Sequence, residues 1–182
     1  MKRLIFSILI LQLSIFNCTN LPGTPGHISR HTSEFDNTRQ LSMEPAACGE
    51  AFRLSLFKSS TMPDSLLILT AMVKDVHTFS PGKSLEVRIN REFFAFDNLD
   101  EATDHKIDEA IIVGSAVLHP TTAWSSQRYI ITVKFLEQMI NGEEVWVKIH
   151  LDKEYVEGKF STSGLTDARP AFKKFYAEIQ KW

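Results

Sequence analysis

A mainly β, antiparallel domain, either a sandwich or a small barrel, with a C-terminal amphipathic helix is the fold this 182-residue chain predicts. Three observations carry that expectation. Short runs in which apolar and polar residues alternate recur between Phe52 and Phe160, the period of half-buried strands. Turn dipeptides, Pro81-Gly82 and Asn141-Gly142, fall between such runs. Near the end of the chain, Phe172, Phe175, Tyr176 and Ile179 repeat at helical spacing.

At the start, Lys2 and Arg3 precede Leu4–Phe16, 13 mostly apolar residues interrupted by Gln12 and Ser14. A membrane span needs about 20 apolar residues. The run is too short for that and reads as a secretory signal peptide, residues 1–17. The stretch Ser14-Ile15-Phe16-Asn17-Cys18 then resembles the lipobox of bacterial lipoproteins. That pattern usually has Leu where this chain has Ile15 and a small residue where it has Asn17, so the closer likeness is to the relaxed lipoboxes of spirochaetes. The resemblance covers residues 1–18 alone. It implies acylation of the Cys18 sulfur, a lipid anchor in a membrane, and a place in the bacterial cell envelope. Thr19, standing where Asp would mark inner-membrane retention in enteric bacteria, implies the outer membrane. Two other readings exist: cleavage nearby by an ordinary signal peptidase, or a eukaryotic chain in which Asn17-Cys18-Thr19 is formally a glycosylation sequon; a Cys18 left unmodified and retained could pair with Cys48. A lipidated Cys18 leaves Cys48 as the lone thiol.

Removing residues 1–17 leaves 165 residues, with 22 acidic and 18 basic side chains and a net charge of −4. That length suits one domain with a tail. The charges are interspersed and no basic cluster occurs, which argues against a nucleic-acid partner or a polybasic membrane surface. From Thr19 to Ala47 neither helical nor strand periodicity lasts, and Pro22, Gly23, Pro25 and Gly26 open the stretch. Residues 18–47 therefore read as the lipidated cysteine and a flexible tether, and residues 48–182 as the folded domain. A coil of that length has a mean reach of about 30 Å.

Within the domain, Phe52, Leu54 and Leu56 alternate with Arg53 and Ser55 as a first strand. After the break at Met62-Pro63-Asp64, the apolar run from Ser65 to His77 makes a second. Ser80-Pro81-Gly82-Lys83 is a turn, and Leu85, Val87 and Ile89 continue as a strand expected to pair with the run before it. This order, over residues 66–96, also resembles the opening of an oligonucleotide/oligosaccharide-binding barrel. Residues 97–109 form an acidic loop, and Ala110–Leu118 an apolar segment closed by His119-Pro120.

Residues 128–151 predict a hairpin: Tyr129, Ile131, Val133 and Phe135 on one strand, Val145, Val147, Ile149 and Leu151 on the next. A two-residue Asn141-Gly142 turn sets Phe135 opposite Lys148. A three-residue loop beginning at Ile140 sets Phe135 opposite Val147 and brings both apolar sets to one face. Because a one-residue slip flips every side chain, burial selects the second register, a bulged hairpin with Gly142 left-handed. Tyr155–Phe160 adds a strand, for six or seven in all. A helix over residues 168–181 follows, capped by Thr166 or Asp167, with Pro170 in its first turn and Trp182 close to its apolar stripe.

The chemistry-bearing residues form no recognisable catalytic set. His27 and His31 stand four apart with Glu34 nearby, a zinc-like spacing only if the segment is helical. Asp97, Asp100, Glu101, Asp104, Asp108 and Glu109 lack the glycine of a calcium loop and read as a solvated acidic stretch. His77, His105, His119 and His150 have no Ser, Cys or Asp partner that spacing identifies. His150 is expected to point away from the apolar face of its strand. Cys48 reads as an inert, partly buried thiol. Catalytic residues, metal ligands and cofactors are therefore assigned to none, and the site residue is Cys18, by lipidation. The leading expectation is a lipid-anchored envelope protein with a binding or structural role and an unspecified protein partner. A carrier of a small apolar ligand and an anchored hydrolase are the alternatives. They differ in what they demand of the fold: an exposed aromatic patch, a closed apolar cavity, or a cleft with converging titratable groups.

Overall fold

The structure, a computed structural model, describes residues 24–108, 111–113, 116–119, 122–160 and 167–182. Cys18 and the expected signal peptide lie outside the described residues. The chain is mainly β and antiparallel, as expected, with twelve strands among the described residues rather than six or seven.

One sheet has six strands in the order β1-β2-β3-β4-β10-β7: β1 (Ile28–Thr32), β2 (Arg39–Cys48), β3 (Phe52–Ser59), β4 (Leu66–Lys74), β10 (Thr122–Thr132) and β7 (Asp104–Asp108). The second has four, in the order β12-β11-β5-β6: β12 (Tyr155–Lys159), β11 (Val145–His150), β5 (Leu85–Ile89) and β6 (Glu92–Phe96). A short hairpin pairs β8 (Ile111–Val113) with β9 (Ala116–His119). Two helices, α1 (Val133–Asn141) and α2 (Ala168–Ile179), complete the described fold.

Alternation decides which face of each sheet is buried. Met43, Leu56, Leu69 and Tyr129 are partners along one row of the large sheet, and all are buried. In the small sheet Ile149 pairs with Leu85 and Val147 with Val87, again all buried. These inner faces belong to one apolar core, which Leu136 and Met139 of α1 and Phe172 and Phe175 of α2 complete. Phe94 and Phe96 close its rim against Phe135, with ring centroids 5.1 and 4.7 Å apart. The aromatic stripe of the C-terminal helix thus packs as core, with Phe160 against Phe172 at 4.9 Å.

Four expectations are corrected. The tether does not run to residue 47: β1 and β2 occupy Ile28–Cys48, and Leu41, Met43, Ala46 and Cys48 are buried. Edge strand β1 is mostly exposed, so it shows no apolar alternation. In β2 a bulge between Met43 and Ala46, at Glu44-Pro45, shifts the phase so that inward residues are no longer two apart. The domain therefore begins well before Cys48.

The hairpin expected over 128–151 is a strand, a helix and a strand, with β10 and β11 in different sheets. Thr132 ends β10 and caps α1, its Oγ1 accepting from the Phe135 amide at 3.0 Å. Phe135, Leu136, Met139 and Ile140 then form a buried helical stripe. Gly142 is not left-handed, having φ −61°. It is needed for space: a Cβ there would stand 2.7 Å from Val145 Cγ2 and 2.8 Å from Ile89 Cγ2.

β4 and β5 likewise do not pair, because residues 75–84 carry the chain from one sheet to the other. This also removes the likeness of residues 66–96 to a barrel opening. β5 turns back instead through Asn90-Arg91 to pair with β6. Finally, the acidic stretch is loop only as far as Thr103: Asp104–Asp108 form β7, which pairs with β10, and Asp100 accepts two 2.7 Å bonds from the Arg128 guanidinium.

Candidate functional site: the outer face of the four-stranded sheet

The residues singled out in sequence fall in separate places. Cys48 is fully buried, its thiol 3.9 Å from the Gly158 carbonyl, and burial pushes its pKa up, helped by the Asp167 carboxylate. His31 lies on exposed strand β1 and His27 is the residue directly before it, so the helical spacing that zinc would need is absent. Among the described residues no three His, Cys, Asp or Glu side chains cluster as metal ligands would.

The fold does bring together pairs that spacing could not reveal, among them His105 with Ser125 and His77 with Glu154. His105 Nδ1 on β7 lies 3.0 Å from Ser125 Oγ on β10, where the two residues are ladder partners. The geometry is that of a cross-strand brace, not of an activated nucleophile. Ser125 is fully buried and donates its proton to the Asp75 carbonyl at 2.8 Å, while accepting from the His77 amide at 2.8 Å. Its oxygen holds the chain where it leaves β4, beside Asp75 with φ +71°.

The large sheet's outer face exposes Ile130 in the ladder row of half-buried Ile68 and Phe57; its polar groups, Arg128 with Asp100 and Arg53 with the Trp124 ring, are paired among themselves. The small sheet's outer face sets aromatic rings and charges of both signs around one cleft. Side chains on β11, β5 and β6 that point away from the core line up in rows. Trp146 is the partner of Arg88, and Arg88 of Phe93. Lys148 stands between Glu86 on β5 and Glu157 on β12. His150 is the partner of Tyr155. Phe93 is 75% exposed and Tyr155 55%, well above what an aromatic ring retains in a packed surface.

Local contacts fix several of these groups. The Trp146 indole N–H donates to Glu144 Oε1 at 2.8 Å, and Arg88 Nη2 donates to the same oxygen at 3.3 Å. Glu144 thereby holds both the indole and the guanidinium, whose centre lies 6.0 Å from the Trp146 ring centroid. Lys148 Nζ sits 3.9 Å from the Tyr155 ring centroid, a cation–π contact along the face. His150 Nε2 lies 3.2 Å from Glu86 Oε2, close enough for an ion pair but out of hydrogen-bond alignment. Arg88 Nε is buried without a hydrogen-bond partner. Glu86, Arg88, Phe93, Trp146, Lys148 and Glu157 together line a shallow cleft of about 300 Å³.

Such an arrangement offers contacts suited to binding. Flat rings offer stacking surfaces, and alternating carboxylates and cations offer acceptors and donors beside them. The two step lengths of the sheet, about 4.8 Å between strands and about 6.8 Å between like-facing residues along one, set the grid. Sequence reasoning missed the site because outward residues of a strand look like ordinary surface until the strand order is known. Only the alternation itself, which put Trp146, Lys148 and His150 on one side of β11, was readable.

Comparison with protein-family models, curated proteins and solved structures finds no match to this chain.

Proposed function

We propose that this chain is a lipid-anchored protein of the bacterial cell envelope that acts by binding, with the outer face of the β12-β11-β5-β6 sheet as its contact surface. The single observation behind the binding role is the row Trp146–Arg88–Phe93, half-buried at Trp146 and Arg88 and exposed at Phe93, flanked by Lys148 between Glu86 and Glu157. An exposed Phe93 beside a half-buried Trp146 whose indole is fixed by Glu144 is unusual on a surface that meets only water. The lipobox resemblance at Cys18 supports the anchor, and Thr19 after it supports the outer membrane as its location. The Phe side chains that a carrier would need around a cavity pack against one another instead, in the pairs Phe94–Phe135, Phe96–Phe135 and Phe160–Phe172.

Two measurements test the two halves of this reading. Intact mass of the native protein and of Cys18→Ala tests the anchor: a native mass without acyl chains, with residues before Cys18 retained, overturns it. Hydroxyl-radical footprinting tests the surface. Trp146, Phe93 and Tyr155 are expected to be protected in intact envelopes and labelled after extraction. Equal labelling in both states overturns the binding face.

A further inference from the structure

We infer that the Trp146–Phe93 cleft takes a neutral, extended, β-linked oligosaccharide. This rests on the binding reading above and deepens it by naming the ligand chemistry.

Charge decides first. Around the two rings stand Glu86, Glu144 and Glu157 against Arg88, Lys148 and Lys159, three of each sign: Lys148 sits between Glu157 and Glu86 in one ladder row, and Lys159 and Arg88 flank Trp146 in the next, with Glu144 bonded to Arg88. A phosphate chain or other polyanion would meet a carboxylate beside every cation, and a polycation would meet the reverse. The face is matched to a ligand without net charge but with many hydroxyls, since carboxylates accept from hydroxyls and ammonium or guanidinium groups donate to them. A peptide in extended form is recognised mainly through main-chain bonds along a sheet edge, not across its face.

Shape decides next. A pyranose ring presents a flat patch of C–H groups that lies well on an aromatic face. Trp146 on β11 and Phe93 on β6 are separated by one strand, so their Cα positions lie about 10 Å apart, crosswise to the strands. That is the span of two linked sugar rings. In a flat β-linked chain alternate rings face the same way, so one ring can rest on each aromatic while the ring between them spans Arg88. An α-linked chain coils and loses the second platform. Preorganisation favours the same ligand: the indole N–H is already bonded to Glu144, so the ring is oriented before anything binds, and little rotamer entropy remains to be lost. Glu157, across the ladder from Lys148, has no ion-pair partner among the described residues and is the free acceptor beside the platform.

The test uses the full-length protein in a detergent with no sugar headgroup, titrated with cellohexaose, chitohexaose, maltohexaose and a heparin hexasaccharide, read by tryptophan fluorescence and calorimetry. Cellohexaose or chitohexaose is expected to bind with Kd between about 10 μM and about 1 mM, as suits an open cleft. Trp146→Ala and Phe93→Ala should each weaken binding at least about tenfold, and Glu157→Gln about threefold, while added salt should change Kd less than about twofold. Phe93 is so exposed that its variant keeps the fold whatever happens at Trp146. Absence of binding by both β-linked probes at about 5 mM overturns the inference. So does preference for maltohexaose or heparin, or binding that survives both aromatic substitutions. The footprint separates the two levels: if Trp146 and Phe93 are protected in intact envelopes but no β-linked sugar binds, the saccharide is wrong and the binding face stands. If they are also unprotected, both fall.

Discussion

The Tyr129 hydroxyl lies 2.7 Å from Ser84 Oγ, joining the large sheet to the first residue before β5 of the small one. Ser84 spends its own proton on Asn98 Oδ1 at 2.5 Å, so the phenol is the donor in the contact with Ser84. Asn98 in turn donates to the Ser80 carbonyl at 3.0 Å. Tyr129 and Ser84 are both fully buried. A polar chain therefore crosses an otherwise apolar core and sets how the two sheets lie.

Tyr129→Phe should lower the unfolding free energy by about 1–2 kcal/mol, as loss of one buried hydrogen bond does, measured by urea denaturation near neutral pH. The same residue gives a signed alkaline effect. Burial raises its phenol pKa above the ordinary value of about 10. The folded state then holds a proton that the unfolded state releases, so its contribution is complete below about pH 10 and declines as pH rises beyond it. The Phe variant should lack that part of the decline. Equal alkaline slopes would show that Tyr129 does not carry it.

Lys58 is 2% exposed, yet its amine has full company: it donates to the carbonyls of Pro63, Asp64 and Leu66 at 2.6, 3.2 and 2.9 Å. Three N–H donors meeting three carbonyls make it an internal clasp for the turn between β3 and β4. Lys58→Met keeps the stem but orphans those acceptors, and should cost about 2–4 kcal/mol in denaturant unfolding. A loss under about 0.5 kcal/mol would mean that water replaces the amine without penalty.

Gly158 marks where β12 passes over the end of β2. A methyl group there would collide with the Cys48 carbonyl oxygen and stand 3.2 Å from Phe52 Cε1. The obstacle is backbone, which cannot swing aside, so Gly158→Ala should destabilise by about 2–4 kcal/mol. Hydrogen exchange should quicken first in β12, Tyr155–Lys159, because that edge strand must lift. Uniform loss of protection would show that the contact matters to the whole fold instead.

Thiol titration gives a simple readout of the anchor. The chain has two cysteines. Cys48 is buried with a raised pKa, so it should not react with a thiol reagent in the folded protein at neutral pH. After denaturation, one thiol should react if Cys18 carries lipid on its sulfur. Two reacting thiols in protein isolated from its own envelope would contradict the anchor.

Legibility from sequence followed packing. β3, β5, β11, β12 and α2 were readable because each has one buried and one wet face, so a period of 2 or 3.6 is written in its residues. β1 was hidden because an exposed edge strand needs no apolar face, and β2 because its bulge breaks the alternation. α1 was read as strand because Ile131, Val133 and Phe135 keep a two-residue period across the junction, while Leu136, Met139 and Ile140 supply the helical one. Sheet order was not legible at all. The cleft depends on that order: Trp146 and Phe93 lie 53 positions apart, and only β5 between them makes them neighbours.

The early start of the domain has a mechanical consequence. β1 begins at Ile28, and Gly26 is already seated against Ala171 of α2, where an added Cβ would stand 2.7 Å from the alanine methyl. If Cys18 carries lipid, eight Cα steps separate it from the seated Gly26. Eight steps reach at most about 28 Å even when fully stretched. A domain so anchored would stay close to the headgroups, in a limited range of tilts. For the proposed anchored protein, what the sheet face can touch would be set as much by that berth as by its own chemistry.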